Sequence, residues 1–226
     1  MLIIPLFYKI NKEQILQNTA DFVKETLTNA EGGHDWFHIE RVTKNANQIA
    51  KKELADPFVV ELAALLHDIA DSKFHKGDES IAPKKARAFL NEQGVSKTVA
   101  DHVVQIVTHV SFKGGNFEQE FHSKELEVVQ DADRLDALGA IGIARCFGYG
   151  GFKKRALYDP KIKPELSMTK EEYKKSTAPS INHFYEKLLL LKDRMHTDTG
   201  RKIATERHRF MELFLAQFYA EWDGTL

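Results

Sequence analysis

The stretch that decides the fold is Asp56-Pro-Phe-Val-Val-Glu-Leu-Ala-Ala-Leu-Leu-His-Asp68. Asp56 followed by Pro57 is typical of a helix start, because aspartate caps the first free N–H groups and proline fits the first turn. Phe58–Leu66 is apolar nearly all round, so this helix is predicted to lie at the centre of the protein. His67 and Asp68 follow directly and are therefore predicted to lie at one end of the central helix.

Helical spacing of apolar residues continues on both sides of this stretch. No region has the alternation of apolar and polar residues that is typical of strands, so the sequence predicts an all-α fold. We expect one domain with a C-terminal extension. The predicted helices cover Asn11–Leu27, Ile39–Ala50, Pro57–Leu66, about Glu79–Gln93, a segment capped by Ser96, Ser123 to about Phe147, a short segment from Thr169, Ser180–Lys192 and Gly200–Trp222.

Three local patterns describe the C-terminal half. Glycines and prolines over 148–168 predict a loop, and long ordered loops are often functional. Thr169 with Glu172 is a capping box for the short helix. Aromatic residues recur at four-residue spacing on the last helix, which predicts a stripe packed in the core: Phe210, Phe214, Phe218 and Trp222.

Composition excludes several classes of protein. The 226 residues are 42% hydrophobic, which is enough for a core, and a formal net charge of −1 offers no overall field to nucleic acid or an anionic membrane. The single cysteine, Cys146, excludes an internal disulfide and a four-cysteine zinc module. No apolar run reaches the ~20 residues that a membrane helix needs, and no signal peptide is recognisable. We therefore expect a cytoplasmic protein that binds neither membrane nor nucleic acid; a homo-oligomer stays open.

Histidines and aspartates occur in groups on or beside these apolar helices. Packing the helices would bring imidazoles and carboxylates together, and such mixed ligands suit a transition metal ion or Mg²⁺. Two alternatives stay open: Asp136 can instead form a supporting contact, and His34-Asp-Trp-Phe-His38 has the histidine spacing of a zinc peptidase, with Asp replacing the usual Glu. The groups are His34, Asp35 and His38; His67 and Asp68; His102 and His109; and Asp131, Asp133 and Asp136.

The order of these motifs resembles the HD superfamily of metal-dependent phosphohydrolases. The resemblance rests on His38-Ile-Glu-Arg-Val42, Leu65-Leu-His-Asp-Ile-Ala-Asp71 and Asp131-Ala-Asp-Arg-Leu-Asp136. It covers about residues 30–140 as the metal-binding core, with a C-terminal helical extension over about 169–224. Phe147-Gly-Tyr-Gly-Gly151 and Asn182-His-Phe-Tyr-Glu186 extend the resemblance to small bacterial members, some of which cleave nucleoside triphosphates to the monophosphate and pyrophosphate.

The resemblance implies a divalent metal ion, with Mn²⁺ or Mg²⁺ favoured, bound by His38, His67, Asp68 and Asp133. His38 is preferred to His34 because Val42 follows it at the family's spacing, and Asp133 is preferred to Asp131 because a basic and an apolar residue follow it. Asp71 is the implied general base, four residues past His67. The alternative for Asp71 is a residue of the helix C-terminal turn.

The implied substrate is a nucleotide, and a triphosphate needs cations around it. A basic cluster extends from Arg145 to Lys163, although it can also be a solvated loop. A phosphodiesterase, a phosphomonoesterase or a non-catalytic nucleotide sensor on the same scaffold are the alternatives. The predicted substrate-binding residues are His34, Lys73, His75, His109, Arg134, Arg145, Lys153 and Lys154.

Overall fold

The computed structural model describes residues 11–28, 35–70, 78, 80–110, 120–169, 172 and 175–225. These residues form helices and no strand, which confirms the all-α fold. The helices are α1 (Lys12–Thr26), α2 (Trp36–Glu53), α3 (Pro57–Leu66), α4 (Ile81–Glu92), α5 (Lys97–His109), α6 (Lys124–Asp136), α7 (Gly139–Phe152), α8 (Ser180–Glu186), a 3₁₀ helix (Leu188–Arg194) and α9 (Asp198–Trp222).

Helix α3 is central, as its sequence predicts. The Asp56 carboxylate accepts hydrogen bonds from the backbone N–H groups of Phe58 and Val59, at 2.9 and 3.3 Å. Eight of its ten residues are buried, so the helix is surrounded by other elements. It packs against α1, α2, α5 and α6, and α2 also packs along α6. This arrangement places the C-terminal end of α3 beside α2 and α6.

The prediction of one helix from Ser123 to Phe147 is wrong. Helix α6 ends at Asp136 and α7 begins at Gly139, which has a positive φ of 71°. A left-handed residue interrupts the α-helical hydrogen bonds, and glycine adopts it without steric cost. Helix α7 then continues to Phe152, so the segment predicted as a loop over 148–168 is helical in its first residues.

The C-terminal helices differ from the prediction in one place. The segment predicted as a single helix over Ser180–Lys192 divides into α8 and the 3₁₀ helix, and α9 packs on α2, α6 and α7. The capping box is confirmed, because Thr169 and Glu172 exchange side-chain-to-backbone hydrogen bonds. The division into a metal-binding core and an extension within one domain stays a prediction.

The aromatic stripe of α9 is only partly in the core. Phe214 and Phe218 pack against it, and Phe214 stacks on Phe184 with ring centroids 5.9 Å apart. Phe210 and Trp222 are each half exposed and neither packs against the core, so the prediction of core packing is wrong for both. Trp222 still contacts Tyr158 and Phe218 through its ring.

Candidate metal centre

Three side chains from three helices converge at the end of α3. His38 lies in the first turn of α2, His67 directly follows α3, and Asp133 lies on α6. One ligand atom from each lies within 4.8 Å of the others. Asp133 Oδ1 is 3.5 Å from His38 Nε2 and 3.9 Å from His67 Nε2. Two imidazole nitrogens and a carboxylate oxygen therefore face one point, as they do around a bound metal ion.

Protein contacts orient the His38 ring toward this point. The Asp35 side chain caps α2 by accepting a hydrogen bond from the His38 backbone N–H at 2.9 Å, which fixes the first turn. His38 Nδ1 lies 2.7 Å from Asp136 Oδ2, and because a carboxylate only accepts, Nδ1 carries the proton. Burial lowers the pKa of His38 against the opposing effect of Asp136, which favours the neutral imidazole that metals bind.

His67 is oriented in the same sense by the backbone. Its Nδ1 donates to the Ala64 carbonyl at 2.8 Å, which leaves Nε2 as the acceptor. That Nε2 is buried and has no hydrogen-bond partner within the described part of the chain. A buried polar atom left without a partner costs stability, and a metal ion would satisfy it. The donor set and this unpaired nitrogen therefore fit a divalent cation.

Asp136 joins His38 to two arginines. Its Oδ1 accepts from Arg41 Nε at 2.6 Å, and its Oδ2 accepts from Arg41 Nη2 at 2.9 Å and from Arg145 Nη1 at 2.7 Å. Burial acts to raise the pKa of Asp136, but hydrogen bonds from His38 and Arg41 and the charge of Arg145 outweigh burial and hold the pKa well below its ordinary value. The carboxylate is therefore a fixed negative charge behind His38.

The structure separates the two aspartates between which the sequence leaves a choice. Asp131 is fully buried and accepts hydrogen bonds from the backbone N–H groups of His196 and Thr197 and from the Thr197 hydroxyl, all between 2.8 and 3.1 Å. It therefore anchors the start of α9, while Asp133 faces the histidines. Asp68 is half-buried and follows His67 in the chain, but it is not part of the group within 4.8 Å.

The predicted substrate-binding residues do not all lie beside the metal centre. Arg145 binds Asp136 beside the centre, and exposed Lys153 and Lys154 follow the C-terminal end of α7. Arg134 donates to the Arg194 carbonyl at 2.6 Å, and burial lowers its pKa, so this guanidinium joins α6 to the 3₁₀ helix. His109 bonds the Gln105 carbonyl through Nδ1. His34, Asp71, Lys73 and His75 lie outside the described residues.

Sequence reasoning did not identify Arg41 as part of the centre. The signal was its position three residues after His38, which places both side chains on one face of α2. The contacts of Arg41 and Arg145 with Asp136 depend on tertiary packing. Helical spacing alone therefore predicted no partner for Arg41.

Comparison with known proteins agrees with this geometry. The HD domain family matches residues 36–138, which include all three converging side chains. The uncharacterised protein YpgQ of Bacillus subtilis is 40% identical over 90% of this chain and 91% of its own length. The chain belongs to the HD superfamily.

Solved HD structures cover nearly the whole chain. An HD-superfamily hydrolase from Bacillus thuringiensis is 43% identical, with a TM-score of 0.76, over 94% of this chain and 99% of its own. A structure of Bacillus subtilis YpgQ in complex with ADP has a TM-score of 0.75 and 37% identity in the structural alignment, over 93% of this chain and 96% of its own. The resemblance to the HD superfamily is thereby confirmed, as is its all-α fold.

Within the described residues, every helix is too short or too polar to span a membrane.

Proposed function

We propose that this HD protein is a metal-dependent phosphohydrolase that cleaves nucleoside triphosphates to the monophosphate and pyrophosphate. The convergence of His38 Nε2, His67 Nε2 and Asp133 Oδ1 on one point carries the proposal. His67 Nε2, buried without a hydrogen-bond partner in the described residues, supports a bound cation rather than a chance meeting of polar groups.

His38, His67 and Asp133 would hold the ion, with Asp68 as the fourth ligand. Neutral imidazoles and carboxylates suit Mn²⁺, and Mg²⁺ is the alternative. When bound, such an ion supplies positive charge that increases the acidity of water and offsets the charge of phosphoryl oxygens. The chain itself fixes the ring orientations, because Asp136 and the Ala64 carbonyl bind the opposite nitrogens of the two histidines.

Two observations support a nucleotide as the substrate. A YpgQ structure contains ADP, and that protein shares the fold over 93% of this chain. The 20 residues from Gly139 to Tyr158 contain four cations, Arg145, Lys153, Lys154 and Arg155, and no acidic residue. Fixed cations lower the barrier when negative charge grows on a leaving group, so this segment favours departure of a charged pyrophosphate. His34, Lys73, His75, His109 and Arg134 remain further proposed contacts.

Asp71 is the proposed general base, because it follows the ligand His67 by four residues. Asp71→Asn should keep metal and fold, since the amide is nearly isosteric, but should lower turnover by ~10²–10⁴-fold because an amide cannot accept the proton. Steady-state rates beside metal content measure this. A rate within a few-fold of the unmodified protein would remove Asp71 from the mechanism.

The deciding experiment follows early products from a panel of nucleotides, with and without Mn²⁺ and without added pyrophosphatase. Chromatography should resolve pyrophosphate and the monophosphate as first products, and His67→Ala should abolish both. Orthophosphate with a diphosphate, or rapid cleavage of monophosphates alone, would assign the chain to the phosphomonoesterase alternative. Nucleotide binding without any cleavage would identify a sensor.

A further inference from the structure

Helix α7 carries an exposed aromatic surface on the face that leads from the metal centre. Tyr149 is 43% exposed and Phe152 63% exposed, and their ring centroids lie 6.4 Å apart. They follow Arg145 by four and seven residues, so all three lie on one face of the helix. Arg145 Nη1 binds Asp136, which binds His38. Arg145 therefore connects this face of α7 to the metal centre.

Two glycines of the same helix have no packing reason among the residues that the structure describes. A Cβ at Gly148 or at Gly151 would meet nothing within 4 Å, and neither residue has a positive φ. In contrast, a Cβ at Gly150 would collide with the Ser180 hydroxyl. Glycine inside a helix is less favourable than alanine, so two glycines facing open space are unexplained by folding. Gly148, which precedes Phe152 by four residues and so shares its face, lets a flat group approach the backbone beside the rings.

Cations surround the same rings. Lys153 Nζ lies 5.0 Å from the Phe152 centroid and 5.5 Å from the Tyr149 centroid, and the Arg155 guanidinium lies 5.7 Å from the Tyr149 centroid. Two copies of this chain joined here by a two-fold axis would bring like charges together. A ligand that combines a planar ring with phosphate fits both the aromatic and the cationic groups.

We propose that Tyr149 and Phe152, with Gly148 beside them, form a base-stacking platform for the nucleotide whose phosphates are held by Lys153 and the metal centre. The proposal rests on the proposed function for the phosphate end of the ligand. Along the helix axis, Phe152 lies about 10 Å beyond Arg145, at ~1.5 Å per residue. That separation is comparable with the length of a nucleotide, so one ligand can contact both ends.

The test compares ADP with inorganic pyrophosphate, which has two phosphates and no base. Calorimetric affinities are measured with Mn²⁺ on the whole protein. Phe152→Ala and Tyr149→Ala should each weaken ADP binding by about tenfold, because stacked bases contribute strongly to binding. Neither change should alter pyrophosphate binding. Lys153→Gln should weaken both ligands, and Leu166→Ala, a change at an equally exposed apolar side chain in the loop, should alter neither.

A second variant separates binding from folding. Gly148→Leu places a side chain in open space, so the melting temperature should stay equal or rise while ADP affinity falls.

If the unmodified protein cleaves nucleotides but the aromatic variants bind ADP normally, the platform is overturned and the proposed function stands. If ADP affinity falls selectively in a protein that cleaves no nucleotide, the platform stands and the proposed hydrolysis fails. If Phe152→Ala instead converts a dimer to a monomer in sedimentation velocity, the face is an interface between copies and the platform is overturned.

Discussion

In both histidines of the centre, Nδ1 is hydrogen-bonded, but the acceptor differs between the two rings. In His38 a carboxylate binds Nδ1, and in His67 a backbone carbonyl binds Nδ1. In both rings the contact fixes the tautomer in which Nε2 is the acceptor, and such contacts tune and orient metal ligands. The chemistry of the centre therefore depends on Asp136 and Ala64 as well as on the side chains that converge.

We predict that His67→Ala and Asp133→Ala each lose the metal. Each change removes one of three ligand atoms that lie within 4.8 Å of one another. Metal content of purified protein, measured by elemental analysis after loading with Mn²⁺, gives the result directly. His122→Ala, at an exposed histidine, should retain the metal of the unmodified protein. Full metal content in both of the first two variants would contradict the assignment.

We also predict that Asp136→Asn lowers Mn²⁺ affinity by roughly 10–100-fold, the range found when a partner of a ligand histidine is removed. The amide cannot accept from His38, Arg41 and Arg145 together, so the ring loses its fixed orientation. Titration calorimetry measures the affinity. Asp193→Asn, at an 80% exposed carboxylate, is the matched control. Equal affinities in the two variants would show that the contact does not position His38.

The sequence predicted that His38, His67 and Asp133 would meet, because each lies on or beside a helix with apolar residues that must pack centrally. The sequence could not assign the arginines. Arg145 and Arg134 both lie near the motifs, yet one binds Asp136 and the other binds a carbonyl of the 3₁₀ helix. Their spacing from the acidic residues in the sequence does not show which acceptor each arginine binds. Only the three-dimensional packing distinguishes them.

At the scale of elements, the break between α6 and α7 determines where Arg145 points. Arg145 also donates to the Asp136 backbone carbonyl at 3.1 Å, across the break. Apolar periodicity continues through Leu138 and Ile143, so sequence spacing alone predicts one helix. The break depends instead on Gly139, whose positive φ interrupts the helix, and on tertiary contacts that the spacing of apolar residues does not predict.

Two glycines of α7 should respond oppositely to alanine. A Cβ at Gly142 would collide with the Ala137 carbonyl across the break, and overpacking of this kind costs about 1–3 kcal/mol. A Cβ at Gly148 meets none of the described residues within 4 Å, so Gly148→Ala should raise the free energy of unfolding by about 0.5–1 kcal/mol through helix propensity. Urea unfolding of both variants checks this. Equal effects would mean that Gly142 is not required by the break.

At the scale of the whole molecule, the C-terminal helices brace α6, the helix that carries Asp133. Asp131, two residues before Asp133, accepts four hydrogen bonds from His196 and Thr197, the two residues before α9. A Cβ at Gly200 would collide with the Asp131 carboxylate, so this contact also requires a glycine. Arg207 donates from α9 to the Leu135 carbonyl. These contacts hold α6 on both sides of Asp133 and contribute to the stability of the fold.

That stability should depend on pH through His183 of α8. Burial, with the nearby charges of Lys187 and Arg155, lowers the pKa of His183 to about 3. An unfolded histidine has a pKa of ~6.5, so between these values the unfolded chain binds a proton that the folded chain excludes. Stability contributed by neutral His183 is thus present above about pH 6.5 and is lost as pH falls, by at most about 1.4 kcal/mol per pH unit.

His183→Gln, which does not titrate, should therefore show a shallower loss of the free energy of unfolding between pH 7 and 5, measured by urea unfolding with chelator present. The exposed-site variant His122→Gln should keep the unmodified protein's slope of unfolding free energy against pH. An unchanged slope in His183→Gln would show that His183 is not the proton acceptor, because the other buried histidines are common to all three proteins.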